Sequence, residues 1–319
     1  MPHKMPLPYR TMLEESRRRL DRVVERGGVK PMARLYDRAI SGLTRRLSKI
    51  AAPKTTYTAH QHRLMIAQLR QGRALLARRM RGQLGDISKT AQVEALRGLA
   101  TDLTKLEAGF TGAEVVLPID EAARFEGVIT GRRESLLRAH DVSIAEWTMA
   151  GVEKMEGELS MSLLMGEDFG TAVARVEQAA GAEWWQAERI VRTELAQAYN
   201  GTQADGIKEC ADELPDLWLR WSEHVDDDTF EPLDNRVAKD SIIMHGLIAR
   251  PGEMFRMPIS MPDGSPIPPK VWSRVKHLAD KQWPAPPNRP NDRSCVSPWR
   301  PHWGIPAWRL EGGLRVPMQ

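Results

Sequence analysis

Residues 183–221 read EWWQAERIVRTELAQAYNGTQADGIKECADELPDLWLRW, and the change of texture inside this stretch decides the fold. Ala187, Ile190, Val191, Leu195 and Ala198 recur at helical spacing and form one apolar face. Arg189, Arg192, Glu194 and Gln197 lie mostly off that face, so the spacing predicts a helix over residues 183–210. Pro215 closes this texture. Fifteen of the 22 prolines and seven of the ten tryptophans lie beyond it, which rules out a continued regular helical bundle. A compact, loop-rich module pinned by Trp side chains is expected there, each indole burying a large apolar area. Its candidate strands are brief, at residues 217–221, 247–249 and 254–257.

Upstream of this stretch the chain reads as helix. Leu13, Leu20 and Val24 share one stripe, with Arg17, Arg18, Arg19 and Arg22 around it; Gly27, Gly28 and Pro31 are expected to end that helix. A second helix is predicted over residues 32–50. Met65, Leu69, Leu76 and Met80 predict a third, and Leu96, Leu99, Leu103 and Leu106 a fourth, before Gly109, Gly112 and Pro118 break the pattern. Residues 119–138 and 142–164 predict two more, followed by a turn at 166–170 in which Asp168 or Thr171 could cap the next helix. The fold class expected is mainly α with a small α+β, loop-rich C-terminal module. Three consecutive blocks are expected: a basic helical arm (1–115), a helical core (116–215) and a Trp/Pro-rich module (216–319).

Composition bounds the possible functions. With 41% hydrophobic and 28% charged residues over 319 positions, the chain can bury a sizeable core. No run of eighteen apolar residues occurs, so no membrane partner is expected, and the start of the sequence lacks the apolar stretch of a secretory signal. Only Cys210 and Cys295 are present, which argues against a disulfide framework and a cysteine-based zinc site; buried free thiols are expected. The net charge of +4 hides an asymmetry. Residues 1–105 hold 23 Lys and Arg against 8 Asp and Glu, whereas the remainder holds 23 against 34. A basic half joined to an acidic half suggests one polyanion-facing surface and another surface for something else.

Two stretches together resemble the phage Mu F-like head-morphogenesis (minor capsid) family. The first is Ala187 to Gly201, where Arg192, Thr193 and Glu194 lead into Ala198, Tyr199 and Asn200. The second begins at Trp218-Leu219-Arg220-Trp221 and passes through Asp226, Asp227, Asp228 and Thr229. It continues to His245-Gly246-Leu247-Ile248 and Gly252-Glu253-Met254-Phe255, and closes over 287–295 at Cys295. Asp292 stands where the family's first closing cysteine would be, and Phe230 follows Thr229 with His245 far downstream. The resemblance covers roughly residues 170–303. It implies a low-copy structural protein of a tailed-phage head, at or near the portal vertex inside the virion and in the host cytoplasm during assembly. Portal protein, major capsid or scaffolding protein and double-stranded DNA are the partners it implies.

Read residue by residue, the candidate positions allow more than one chemistry. Arg192 and Glu194 stand two apart on a helix and point to different sides, so an ion pair from one of them to the C-terminal module is expected rather than a joint active site. Tyr199 and Asn200 before Gly201 suggest a packing tyrosine and a bend. Asp226, Asp227, Asp228, Asp234, Asp240 and His245 are what a magnesium-dependent nuclease or hydrolase would use, although an Asp triplet in a loop also reads as a solvated turn. The arginines Arg17, Arg18, Arg19, Arg22, Arg45, Arg46, Arg70, Arg73, Arg78, Arg79 and Arg81 form a candidate DNA- or partner-binding surface, and residues 54–85 hold no acid at all. No Walker loop, HExxH, GxSxG or paired CxxC occurs. The expectation is therefore non-enzymatic, with neither metal nor cofactor; a non-enzymatic DNA-binding protein acting outside the capsid stays open beside it.

Overall fold

The computed structural model describes residues 5–50, 57–225, 229–233, 241–287 and 294–318. It is 67% helix and 10% strand, mainly α with a small sheet-containing C-terminal region. In chain order the helices are α1 (Leu7–Asp21), α2 (Lys30–Leu47), α3 (Ala59–Thr111), α4 (Ala122–Leu164), α5 (Phe169–Gly181), α6 (Trp184–Cys210) and the short α7 (Pro269–Val275). The strands are β1 (Trp218–Ser222), β2 (Ile248–Ala249), β3 (Phe255–Arg256), β4 (Gln282–Trp283), β5 (Cys295–Trp299), β6 (Trp308–Glu311) and β7 (Leu314–Pro317).

Several expected breaks are absent. Gly27 and Gly28 do not end the first helix; residues Arg22–Val29 form a π-helical segment that runs on into α2. The extra residue of a wider turn is absorbed there at low cost, because glycine has no side chain to crowd the turn. The third and fourth expected helices are one 53-residue helix, and 119–138 and 142–164 lie in one 43-residue helix. Neither span contains a proline, so no residue removes an N–H from either ladder. Asp168 does cap α5, its carboxylate accepting from the Thr171 backbone N–H at 3.0 Å.

The chain packs as two units that interleave along the sequence, not as three consecutive blocks. One comprises Met1–Val23, Ser88–Glu134 and Leu195–Gln319; the other comprises Val24–Ile87 and Ser135–Glu194. Helices α3, α4 and α6 contribute residues to both, which is why a linear division at 115 and 215 fails. No helix among the described residues is long and apolar enough to cross a membrane.

The first unit carries the sheet, of order β2-β1-β5, all antiparallel, with Trp218 opposite Trp299 and Ser222 opposite Cys295. Tyr9, Met12 and Leu13 of α1, Leu99, Leu103 and Leu106 of α3, and Ile207 of α6 share one core with Trp221, Val296, Trp299 and Trp303. Trp303 stacks on Phe110 and tilts against Tyr9, both at 5.9 Å between ring centres. The expected strands at 217–221, 247–249 and 254–257 each overlap an observed strand, β1 running one residue further to Ser222; β5, written CVSPW with a proline inside, was not expected. Pro298 is accommodated there, opposite Leu219 in the ladder with β1.

The second unit has its own core of Leu43, Leu47, Met65, Leu69, Met155, Leu159, Phe169, Val173 and Val176. Its charge is divided by segment. Residues 24–87 hold 14 Lys and Arg against 3 acids, and residues 135–194 hold 5 against 11. Part of the asymmetry is therefore satisfied internally: Arg70 meets Glu156 at 2.5 Å, Arg81 meets Asp141 at 3.2 Å, and Arg73 meets Glu183 at 3.0 Å.

Candidate functional site

Strands β1 and β5 are buried along their whole length, yet both carry polar residues. A buried polar group costs free energy unless it is hydrogen-bonded, so these side chains must satisfy one another. Arg220 is 1% exposed; its Nη1 donates to Ser222 Oγ at 3.0 Å, and its Nη2 lies 3.4 Å from His245 Nε2. Ser222 Oγ is 2.9 Å from Ser297 Oγ, which is 3.0 Å from the Tyr9 hydroxyl, and Tyr9 donates to the Pro298 carbonyl.

His245 is wholly buried and lies at the centre of this network. Its Nδ1 accepts the Glu223 backbone N–H at 3.1 Å, so in the neutral ring the proton sits on Nε2, and the 3.4 Å approach of Arg220 Nη2 to that nitrogen brings two donors together without a hydrogen bond. Glu223 Oε1 accepts from Trp221 Nε1 at 2.9 Å and from the Ser294 hydroxyl, while the Glu223 carbonyl accepts from Arg17. Gly246 follows at φ +75°, and a Cβ there would lie 2.2 Å from the Trp308 ring. Phe255 meets Trp221 edge-on at 5.3 Å.

Asn200 ties α6 to this sheet. Its Nδ2 donates to the Ser294 carbonyl at 3.0 Å and its Oδ1 accepts the Val296 N–H at 3.2 Å. One side-chain amide thus does for β5 what a neighbouring strand would do. The expected bend after Tyr199 is absent; α6 continues to Cys210. Gly201 is needed for space, since a Cβ there would sit 1.9 Å from Arg132 Nη1, whose guanidinium pairs with Asp205. Tyr199 is wholly buried beside Arg19, and burial holds its hydroxyl above the usual phenol range.

The Arg-Thr-Glu triplet is distributed as its helical spacing requires, but its partners differ from those expected. Among the described residues Arg192 pairs with Glu188 at 2.6 Å and with Glu25. Thr193 donates to the Arg189 carbonyl at 2.8 Å. Glu194 accepts from Ser143 at 2.7 Å and lies 3.6 Å from His140; burial pushes Glu194 up and His140 down to about 4. The short-range pattern identified the helix and its i,i+4 contacts to Glu188 and Arg189, while Glu25, Ser143 and His140 come from about 50 to 170 positions away.

The arginine series does not form one surface. Arg17 and Arg73 are buried, and Arg19 is largely buried against Asp102. Arg18, Arg70 and Arg81 are ion-paired, and Arg22, Arg45, Arg46, Arg78 and Arg79 are exposed. Helical spacing marks both buried arginines, since Arg17 falls on the stripe of Leu13, Leu20 and Val24 and Arg73 on that of Leu69, Leu76 and Met80.

Asp226, with Asp227, Asp228, Asp234 and Asp240, lies outside the described residues. Among the described residues no group of three His, Cys, Asp or Glu side chains could hold a metal ion. Both cysteines are buried; burial pushes Cys210 up to about 12 and Cys295 above the ordinary thiol range. The thiolate is the reactive form, so native protein exposed to iodoacetamide at about pH 8 is expected to stay unmodified, and denatured protein to gain an adduct at each cysteine. Intact-mass measurement reads this directly; rapid native labelling would contradict the burial.

The chemistry available to this cluster is cohesive. Several of these bonds join one segment of the unit to another, α1 to β5 through Tyr9, α6 to β5 through Asn200, and β1 to the 241–246 turn through His245. Comparison with protein-family models, curated proteins and solved structures found no match.

Proposed function

We propose that the chain is a structural minor head protein of a tailed phage, held at or near the portal vertex inside the capsid. There it assists procapsid assembly and the packaging or delivery of DNA, with portal protein and major capsid or scaffolding protein as partners. The observation that carries this reading is the use made of the residues resembling the Mu F-like family. Asn200, His245, Gly246, Phe255 and Cys295 are spread over about a hundred positions, yet they belong to one buried sheet core. A motif spent on cohesion suits a structural protein better than an enzyme, whose polar groups must meet a substrate. His245 in particular is wholly buried, with its Nδ1 committed to the Glu223 backbone.

The test is the composition of the particle. Mass spectrometry of gradient-purified virions and procapsids is expected to detect this chain at a low ratio to the major capsid protein. Particles free of it would end the proposal.

A further inference from the structure

The solvent face of α2 carries a feature that the candidate arginine series did not isolate. Lys30, Arg34, Arg38 and Arg45 of α2, and Lys49 in the turn just past its end, are all exposed and follow one another at spacings of 4, 4, 7 and 4. At 100° per residue the four helical residues fall within one stripe, opposite the buried Met32, Tyr36, Leu43 and Leu47. The helical part of the row spans roughly 22 Å at 1.5 Å per residue. Asp37, at its margin, is the acid nearest in sequence; none of the five forms an ion pair with a carboxylate among the described residues. Arg70, Arg73 and Arg81 of α3, by contrast, are consumed by Glu156, Glu183 and Asp141.

We infer that this stripe of α2 is a docking surface for the phosphate backbone of double-stranded DNA. Three of its five cations are guanidinium groups, whose fork of donors matches phosphate oxygens. The row contains no aromatic residue on which unpaired bases could stack, which separates it from a single-strand platform. It also contains no large apolar anchor of the kind that dominates protein–protein contacts or inserts into a lipid surface. Contacts of this type are sequence-blind and release counterions. For the identity of the DNA as a packaged genome the inference rests on the minor-head reading; the surface itself rests on the helix.

The test is fluorescence anisotropy of the full chain with a random-sequence duplex, at salt from roughly 50 to 200 mM. With five phosphates neutralised, the logarithm of the affinity is expected to fall with the logarithm of salt with a slope of about −4 to −5. The variant Arg34→Glu/Arg38→Glu/Arg45→Glu should keep its helical circular dichroism and thermal midpoint, because the three side chains are exposed, and lose at least about 30-fold in affinity. Arg78→Glu/Arg79→Glu, which reverses exposed charges on α3, should stay within about threefold. A flat salt response, equal losses in both variants, or equally tight binding of polyglutamate would each overturn the proposal. Detection of the chain in particles alongside any of these results would leave the minor-head reading standing.

Discussion

Replacing Arg73 with alanine is expected to destabilise the helical unit by about 3–5 kcal/mol, the usual consequence of removing one member of a buried ion pair. Arg73 is 1% exposed and Glu183 is 3% exposed, with 3.0 Å between Nη2 and Oε2. The guanidinium also lies 4.2 Å from the centre of the Trp147 ring. Without it, the Glu183 carboxylate has lost its counter-charge in a site where burial already raises its proton affinity. Urea unfolding followed by circular dichroism measures the loss. The double substitution Arg73→Met/Glu183→Leu should recover at least half of it, because two apolar side chains leave no charge to desolvate. Gly151→Ala should imitate the single substitution. A Cβ there would lie 1.9 Å from Arg73 Nη2 and 2.5 Å from Glu183 Oε2, and the surrounding burial leaves the pair little room to retreat. A loss below about 1 kcal/mol for Arg73→Ala would mean that the pair contributes no more than a surface salt bridge.

Asn200→Leu is expected to cost the sheet-bearing unit about 4 kcal/mol. The substitution keeps the side-chain size but leaves the Val296 N–H and the Ser294 carbonyl buried without their partner, at about 1–3 kcal/mol for each group, with imperfect packing of the new branch in addition. Asn200→Asp separates the two bonds. The acid retains an acceptor for the Val296 N–H, yet it sets a carboxylate against the Ser294 carbonyl oxygen in a fully buried position. Its stability should therefore fall further as pH rises through the titration of that buried acid, because the folded protein holds a proton that the unfolded chain releases. Hydrogen exchange at Val296 gives a local readout: protection there should fall before protection in β1. Unchanged exchange in Asn200→Leu would contradict the clamp.

These two substitutions mark where the sequence is legible and where it is not. The helix that carries Asn200 is evident from Ala187, Ile190, Val191, Leu195 and Ala198, since helical periodicity is a local property. The role of Asn200 is not evident, because its partners are nearly a hundred positions downstream. Arg73 is half legible: its place on the apolar stripe between Leu69 and Leu76 points to burial, but its partner Glu183 lies more than a hundred positions downstream. The helix break expected within 80–96 is absent, because a gap in the apolar stripe is not a break when no proline or cap enforces one; the stop expected at Ala51 to Pro53 lies outside the described residues.

The sequence by itself determined the helical class, the end of the long helices before Pro215, the short β1 strand and the split between basic and acidic segments. All follow from side-chain periodicity, proline content or charge counts, which act over a turn or two of chain. The tertiary structure decided the rest. It divided long helices between two interleaved units, buried Arg17, Arg19 and Arg73 of the candidate series, paired Arg70 and Arg81 with acids distant in sequence, and left the α2 stripe facing solvent. Those outcomes depend on which distant faces meet, because burial and charge pairing are properties of a packed volume rather than of a segment.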